Sequence, residues 1–578
     1  MAPSKDYTLL KQGESSTIAH KPRSFDLRSL KWGIPALLVT TVFGSLIVSS
    51  LDQVDDTRAI SSLTNTPCPQ FPPAEALSTE RKAFEREISD EINSGAFFEK
   101  SLVLLQGAVQ IPTESFDDMG KVGNESRFDI FKEFHTYLEK SFPHVYENME
   151  LTLINTYGIL LEWKGKDDSL KPYLFMGHQD VVPVPEATVS RWTYPPYSAY
   201  YDGRFVWGRG ASDCKNVVIG VLEAFETLLG KGYEPERTML AAFGFDEEIS
   251  GFQGAQYLAE YLENTKGRDS IELILDEGGL GVKDMGGAVF ALPGLGEKGY
   301  CDVKITVETA GGHSSVPQDH TGIGILSKII SAVEDNPYKP ELTPINPYFT
   351  TLQCSAQYSP NIDPWLKRQI QASLTNKKSA KTVAKCLSEQ DIFQRYLMQT
   401  SQATDLISGG VKINALPEKV YAVINHRIAV ESQVADVRNN LETLIATKIL
   451  PKFSLSLDAW GSISGNTSSS SIGKITLEDF HEPLEPSPVS PFDTEAYRTF
   501  TGTIKQVMGE DIIVAPSLMT GNTDTKYYWG LSKNIYRFSP VRDEGKANGH
   551  TVDERIGMKE HIEGVRLYAQ LVMNGDRK

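Results

Sequence analysis

The sequence predicts an α/β protein: a main sheet covered by helices on both faces, a smaller α+β domain inserted into it, and a single transmembrane helix near the N-terminus. Three observations carry this. Short apolar runs alternate with helix-patterned segments, the pattern changes character near Glu297, and Trp32–Leu51 carries no charge. With 578 residues the chain exceeds one compact core. Its 40% hydrophobic and 23% charged content is that of a folded globular protein. A net charge of −18 without a basic stripe excludes nonspecific nucleic-acid binding as a function.

The uncharged stretch is 20 residues long, enough for a helix of roughly 30 Å, the thickness of a bilayer's hydrocarbon core. Lys5, Lys11, Lys21, Arg23, Arg28 and Lys31 precede it, and Asp52, Asp55 and Asp56 follow. Positive charge stays cytoplasmic, so the expectation is a single-pass type II membrane protein with its bulk luminal. A cleaved signal peptide is the alternative; the long polar leader and the lack of an A-x-A-like site speak against it. The sequons Asn124-Glu-Ser and Asn466-Thr-Ser fit a luminal, glycosylated domain. Residues 1–31 read as a cytoplasmic tail, 32–51 as the anchor, and 52–80 as a stalk in which Pro67, Pro69, Pro72 and Pro73 discourage regular structure.

The main domain begins near residue 81. Tyr173–Met176, Met239–Phe245 and Ile271–Leu275 read as buried strands. Val217, Val218, Val221, Leu222, Phe225, Leu228 and Leu229 recur at helical spacing, and Gly230 ends that run. Strands alternating with helices imply a sheet covered on both faces. Residues 81–296 form its first part. Residues 297–460 form the inserted domain, in which Asp302–Glu308 and Val420–Val430 alternate as half-buried strands. Residues 461–578 return to the main domain. Five sparse cysteines are no disulfide framework, though one bridge is compatible, and no CxxC pair marks a structural zinc site.

Candidate ligands sit where the buried runs end, the usual location of a site in an open α/β sheet. They are Gly-His178-Gln-Asp180, Ser-Asp213-Cys-Lys, Asp246-Glu247-Glu248, Asp276-Glu277-Gly-Gly and His550-Thr-Val-Asp-Glu554. Each has an ordinary reading when taken alone: a polar turn, a helix N-cap, an acidic loop. A carboxylate two residues from a histidine can hold its second ring nitrogen and raise its basicity as a ligand. Adjacent carboxylates such as Glu247 and Glu248 repel unless cations sit beside them.

Taken in order, with Trp207-Gly-Arg-Gly-Ala-Ser-Asp213-Cys-Lys and Gly311-Gly-His313-Ser-Ser-Val-Pro, these motifs resemble the M20 metallopeptidases. Within them the likeness is to carboxypeptidase S and the related N-acyl amino acid hydrolases, over about residues 90–578. The resemblance implies a zinc-peptidase domain with a central mixed sheet and a ferredoxin-like lid or dimerisation domain. It implies two Zn²⁺ per subunit, one held by His178, Asp213 and Asp276 and the other by Asp213, Glu248 and His550. Of Asp276 and Glu277, only one is expected to point inward, and Asp276 is preferred. Asp180 would orient His178, and the peptide after Asp213 would be cis, which makes Cys214 a structural neighbour. Glu247 would act as general base on a water shared by the two ions. His313 would donate to the oxyanion, reaching into a partner's site in a homodimer. Asn414 and Arg427 would bind substrate, although Asn425 stands where the family often has Asp. The implied activity is removal of C-terminal residues from short peptides. Hydrolysis of N-acyl amino acids is the alternative, and a silent ectodomain would require a broken ligand set. Enzymes with this anchor imply a vacuole- or lysosome-like lumen.

Overall fold

The computed structural model describes residues 67–75, 78–469 and 471–576. The expected tail and transmembrane anchor, residues 1–51, lie outside the described residues. Among the described residues no helix is long and apolar enough to cross a membrane.

Eight strands build the main sheet, in the order Glu150–Ile154, Gly158–Trp163, Met239–Gly244, Tyr173–His178, Leu273–Asp276, Ile535–Arg537, Gly294–Glu297, Ser517–Met519. The sheet is mixed. Met239–Gly244, Tyr173–His178 and Leu273–Asp276 are adjacent and mutually parallel, so their carboxyl ends open on the same edge. Side chains alternate between faces along a strand. Phe175, Ala241, Phe243, Leu273 and Leu275 meet the helices Lys215–Gly230 and Met558–Gly575. Leu174, Met176, Leu240, Ala242 and Ile274 meet the helix Ala255–Lys266 on the other face. Both faces are therefore apolar, which explains why these strands read as unbroken hydrophobic runs.

The inserted domain is a six-stranded sheet in the order Ser401–Gly409, Lys419–Ile428, Gly299–Thr309, Gly473–Asp479, Leu455–Ala459, Ser462–Gly465. One face packs on the helices Gly322–Glu334 and Val434–Lys448 through Ile325, Ile329, Val437, Leu441 and Ile445. Its strand Gly473–Asp479 pairs along Gly299–Thr309, so this sheet continues past the expected boundary at residue 460. The Ser-rich segment before that strand belongs to a loop of the insert. Polar composition marked it as a linker, and composition does not show long-range pairing. The four helices from Pro347 to Leu397 return toward the main sheet: Leu352 and Ala356 pack with Leu518, and the Thr351 hydroxyl donates to the Pro516 carbonyl.

The expected stalk is not free along its whole length. Cys68 is disulfide-bonded to Cys354 across 286 residues of sequence. Gln70 exchanges two hydrogen bonds with the Val514 backbone, at 2.8 and 3.1 Å. Ala74 N–H donates to the Gly502 carbonyl at 3.2 Å. The prolines do prevent a helix here, and the extended segment they leave is fastened to the body instead. A helix follows at Thr79–Ile92, capped by the Ser78 hydroxyl. Cys354→Ser should lower the unfolding free energy by about 2–4 kcal/mol, because the bridge closes a long loop in the unfolded chain. Circular dichroism should show the native spectrum and a lower melting temperature.

Candidate metal centre

His178 ends the strand Tyr173–His178, and the loop Asp246–Glu248 leaves the neighbouring strand at the same level, His178 being paired with Gly244. Asp213 stands just before the helix Lys215–Gly230. It is not that helix's N-cap; Cys214 occupies the position without a side-chain capping bond. The Asp213–Cys214 peptide is cis, as the resemblance implied. His550 comes from a loop ahead of the C-terminal helix.

Asp213 lies at the middle of these groups. Its Oδ1 is 3.3 Å from His178 Nε2, and its Oδ2 is 3.0 Å from His550 Nε2. Glu248 Oε2 is 3.1 Å from the same His550 nitrogen. Among the described residues three sets of donor atoms lie within 4.8 Å of one another: His178, Asp213 and Glu277; Asp213, Glu248 and His550; and His178, Glu247 and Glu248. Glu247 Oε2 is 4.0 Å from His178 Nε2.

Asp180 organises this edge from behind. Its carboxylate is 3.2 Å from His178 Nδ1, and it accepts the backbone N–H groups of Glu247 and Glu248, both at 3.1 Å. Ser115 donates to it at 2.7 Å. Asp246 acts similarly one step away, accepting the N–H groups of Gln253 and Gly254 at 2.7 and 2.8 Å.

Asp276 was the expected ligand, but it is Glu277 that offers an oxygen beside His178 and Asp213 in this structure. The cause is strand alternation. Leu275 faces the helix Lys215–Gly230, headed by Asp213, whereas Ile274 faces away. Asp276 follows Ile274 to that opposite face, toward Thr523 and Arg537. Glu277, one residue on, falls on the Asp213 side.

Three expected residues are not brought into this group. His313 is exposed on a two-stranded ribbon opposite Ala415, its Nδ1 2.7 Å from the Ser315 hydroxyl. Asn414 lies in the turn just before the second strand of that ribbon, its carbonyl accepting from Ser314 N–H. Arg427 donates to Asn522 at 2.9 Å and lies 5.7 Å from the Tyr300 ring centroid, which joins the inserted sheet to the loop at 520–524. Asn425 donates to Asp302 at 2.6 Å.

The charges explain what the group is suited to hold. Burial, reinforced by Asp213 and Asp276, pushes the Glu277 carboxyl up to about 8. Burial, with Asp524 and Glu248 adding to it, likewise moves Glu247 well up. Asp213 goes the other way: burial opposes its ionisation, but hydrogen bonds from His178 and His550 outweigh it. Those to Asp213 and Glu248 raise His550 to about 10. Glu248 Oε1 is buried without a hydrogen-bond partner. An all-oxygen-and-nitrogen donor set, crowded with carboxylates and leaving one oxygen orphaned, fits divalent cations of the zinc type.

Fold and site together define a metallohydrolase with a candidate dinuclear centre. Residues 174–574 match the model of peptidase family M20/M25/M40, and the chain belongs to that family of metallopeptidases. Carboxypeptidase S of Saccharomyces cerevisiae is 39% identical over 519 residues, covering 87% of this chain and 89% of its own length. A Bos taurus N-fatty-acyl-amino acid synthase/hydrolase is 31% identical over 489 residues, 82% of this chain and 87% of its own. An M20 family metallo-carboxypeptidase from Sulfolobus solfataricus shares the fold, with a TM-score of 0.56 at 18% identity over 82% of this chain and 99% of its own.

Glu277, Asp276 (raised to about 6 by burial) and His550 all bind a proton more tightly folded than unfolded. The two carboxyls therefore oppose folding increasingly as pH rises above the ordinary carboxylate range. The His550 contribution, complete below about 6.5, fades toward pH 10. The metal-free protein should melt at a lower temperature at pH 8 than at pH 6, and added zinc should raise the melting temperature more at pH 8. A metal-free melting temperature that climbs over this interval contradicts these shifts.

Proposed function

We propose that the protein is a zinc-dependent carboxypeptidase that removes C-terminal residues from short peptides. The single observation that carries this is Asp213, whose two carboxylate oxygens face two different sets of ligands. His178, Asp213 and Glu277 would hold one zinc and Asp213, Glu248 and His550 the other. When bound, the pair polarises the scissile carbonyl and makes water acidic near neutral pH.

The chain's own groups do the rest. Glu247, its Oε2 4.0 Å from His178 Nε2, takes the proton of the attacking water and passes it to the departing amine. Asp180 fixes the His178 ring and, through two backbone N–H bonds, the placement of Glu247 and Glu248. Arg427, held by Asn522 at the junction with the inserted domain, is the cation offered to the peptide's free carboxylate. His313 would reach an active site across a homodimer; its exposed ribbon, with Val316, Val411 and Ile413 exposed on the adjoining segments, supports such a contact. The Cys68–Cys354 bridge supports an oxidising, luminal compartment, vacuole-like if the expected membrane anchor acts as one.

The purified enzyme should hydrolyse benzyloxycarbonyl dipeptides, lose activity to a chelator, and regain it with zinc. Faster turnover of N-fatty-acyl amino acids would assign it instead to amide hydrolysis of that class. Glu247→Gln should lower kcat by about 10²–10⁴-fold with zinc content unchanged. His313→Ala should lower kcat by about 10²–10³-fold, again with zinc retained; loss of zinc on that substitution would refute the donor role.

A further inference from the structure

Glu554 was noted in the sequence as the last residue of His550-Thr-Val-Asp-Glu554, with no part in the chemistry. It is fully buried and uses both carboxylate oxygens. Oε2 accepts from Arg209 Nη1 at 2.6 Å. Oε1 accepts from the Ser212 N–H at 2.9 Å, the Ser212 hydroxyl at 3.2 Å and the Asp213 N–H at 3.2 Å. Its carbonyl accepts from Gly208 N–H at 2.9 Å, and the chain then pairs antiparallel with Phe205–Trp207. One side chain thus grips the loop that delivers Asp213, from a position four residues beyond His550.

The loop that carries His550 has a backbone that needs such support. Asn548, His550 and Asp553 have φ of 63°, 61° and 64°, the left-handed region that residues with a Cβ rarely occupy. Conformations of this kind persist where their surroundings over-determine them. Here the far anchor is Asp553, whose carboxylate accepts the Thr193 N–H and hydroxyl at 2.6 and 2.8 Å. The near anchor is Glu554.

A bland alternative is a stabilising buried ion pair. Such pairs contribute little net stability, because desolvation offsets their attraction. A purely structural pair also has no need to point a second anion at the backbone of Asp213. Arg209 instead ties down one oxygen of Glu554 and leaves the other aimed at the Ser212 and Asp213 N–H groups.

We propose that Glu554, paired with Arg209, is a positioning residue that sets the spacing between Asp213 and His550 and so fixes the second metal position. This rests on the dinuclear reading above. The test is zinc titration of the metal-free full chain against a chromophoric chelator, comparing the unaltered protein with Glu554→Asp and the milder Arg209→Lys. Glu554→Asp keeps the charge but is one methylene too short to reach both Arg209 and the Ser212–Asp213 N–H groups. It should bind one zinc normally and the second about 10–100-fold more weakly. Its kcat should fall at limiting zinc and recover in excess zinc, with KM unchanged; Arg209→Lys should show the same pattern to a smaller degree. Two folded variants with unaltered zinc constants, whatever their melting temperatures, overturn the proposal. An unaltered protein that binds fewer than two zinc ions overturns the dinuclear reading instead.

Discussion

Negative charge is concentrated at one edge of the main sheet, and the surrounding structure is arranged around it. Asp213, Glu247, Glu248 and Glu277 meet where three parallel strands end, with Asp180, Asp246, Asp276 and Asp524 close behind. In a low-dielectric environment such a group repels itself unless hydrogen-bond donors and cations neutralise it. The chain supplies part of the remedy. Asp180 and Asp246 each accept two backbone N–H bonds, and Glu554 accepts two with Arg209 beside it. Lys215, buried at the start of its helix and lowered to about 7 by that burial, donates to the carbonyls of Ala108 and Ile111. The remaining charge is what divalent cations would neutralise.

These supports also set geometry. The carboxylates that do not face the ligand sets hold the loops of those that do. Asp180 fixes the Glu247–Glu248 turn, and Asp246 fixes the loop to Gly254. Glu297 forms a buried pair with Arg537 at 3.1 Å and accepts from Thr523 and Thr525, next to the point where the chain enters the inserted domain. Lys298, the next residue, donates to the carbonyls of Tyr396 and Gln399. The junction between the two sheets is thus a polar network continuous with the site, and Arg427 joins it through Asn522, whose own amide donates to the Lys298 carbonyl.

Much of this was legible in the sequence, for a physical reason. Strands buried on both faces read as unbroken apolar runs, so their ends were visible, and with them His178, Glu247, Glu248 and the Asp276–Glu277 pair. Choosing within that pair required the direction of each side chain. Alternation along Leu273–Asp276 contains that direction only once it is known which face the helix after Asp213 covers. Glu554 was hidden differently: nothing local to it announces a bond to a backbone more than three hundred residues away. The strand Gly473–Asp479 and the fastened segment 67–75 were obscured by composition, since Ser- and Pro-rich stretches look like linkers whether or not they pair.

Anomalous diffraction at the zinc edge, from crystals of the zinc-loaded protein, would examine the arrangement directly. Two peaks should appear on opposite sides of the Asp213 carboxylate, one bounded by His178 and Glu277 and the other by Glu248 and His550. A lone peak, or a peak bound by Asp276 with Glu277 turned away, would contradict it.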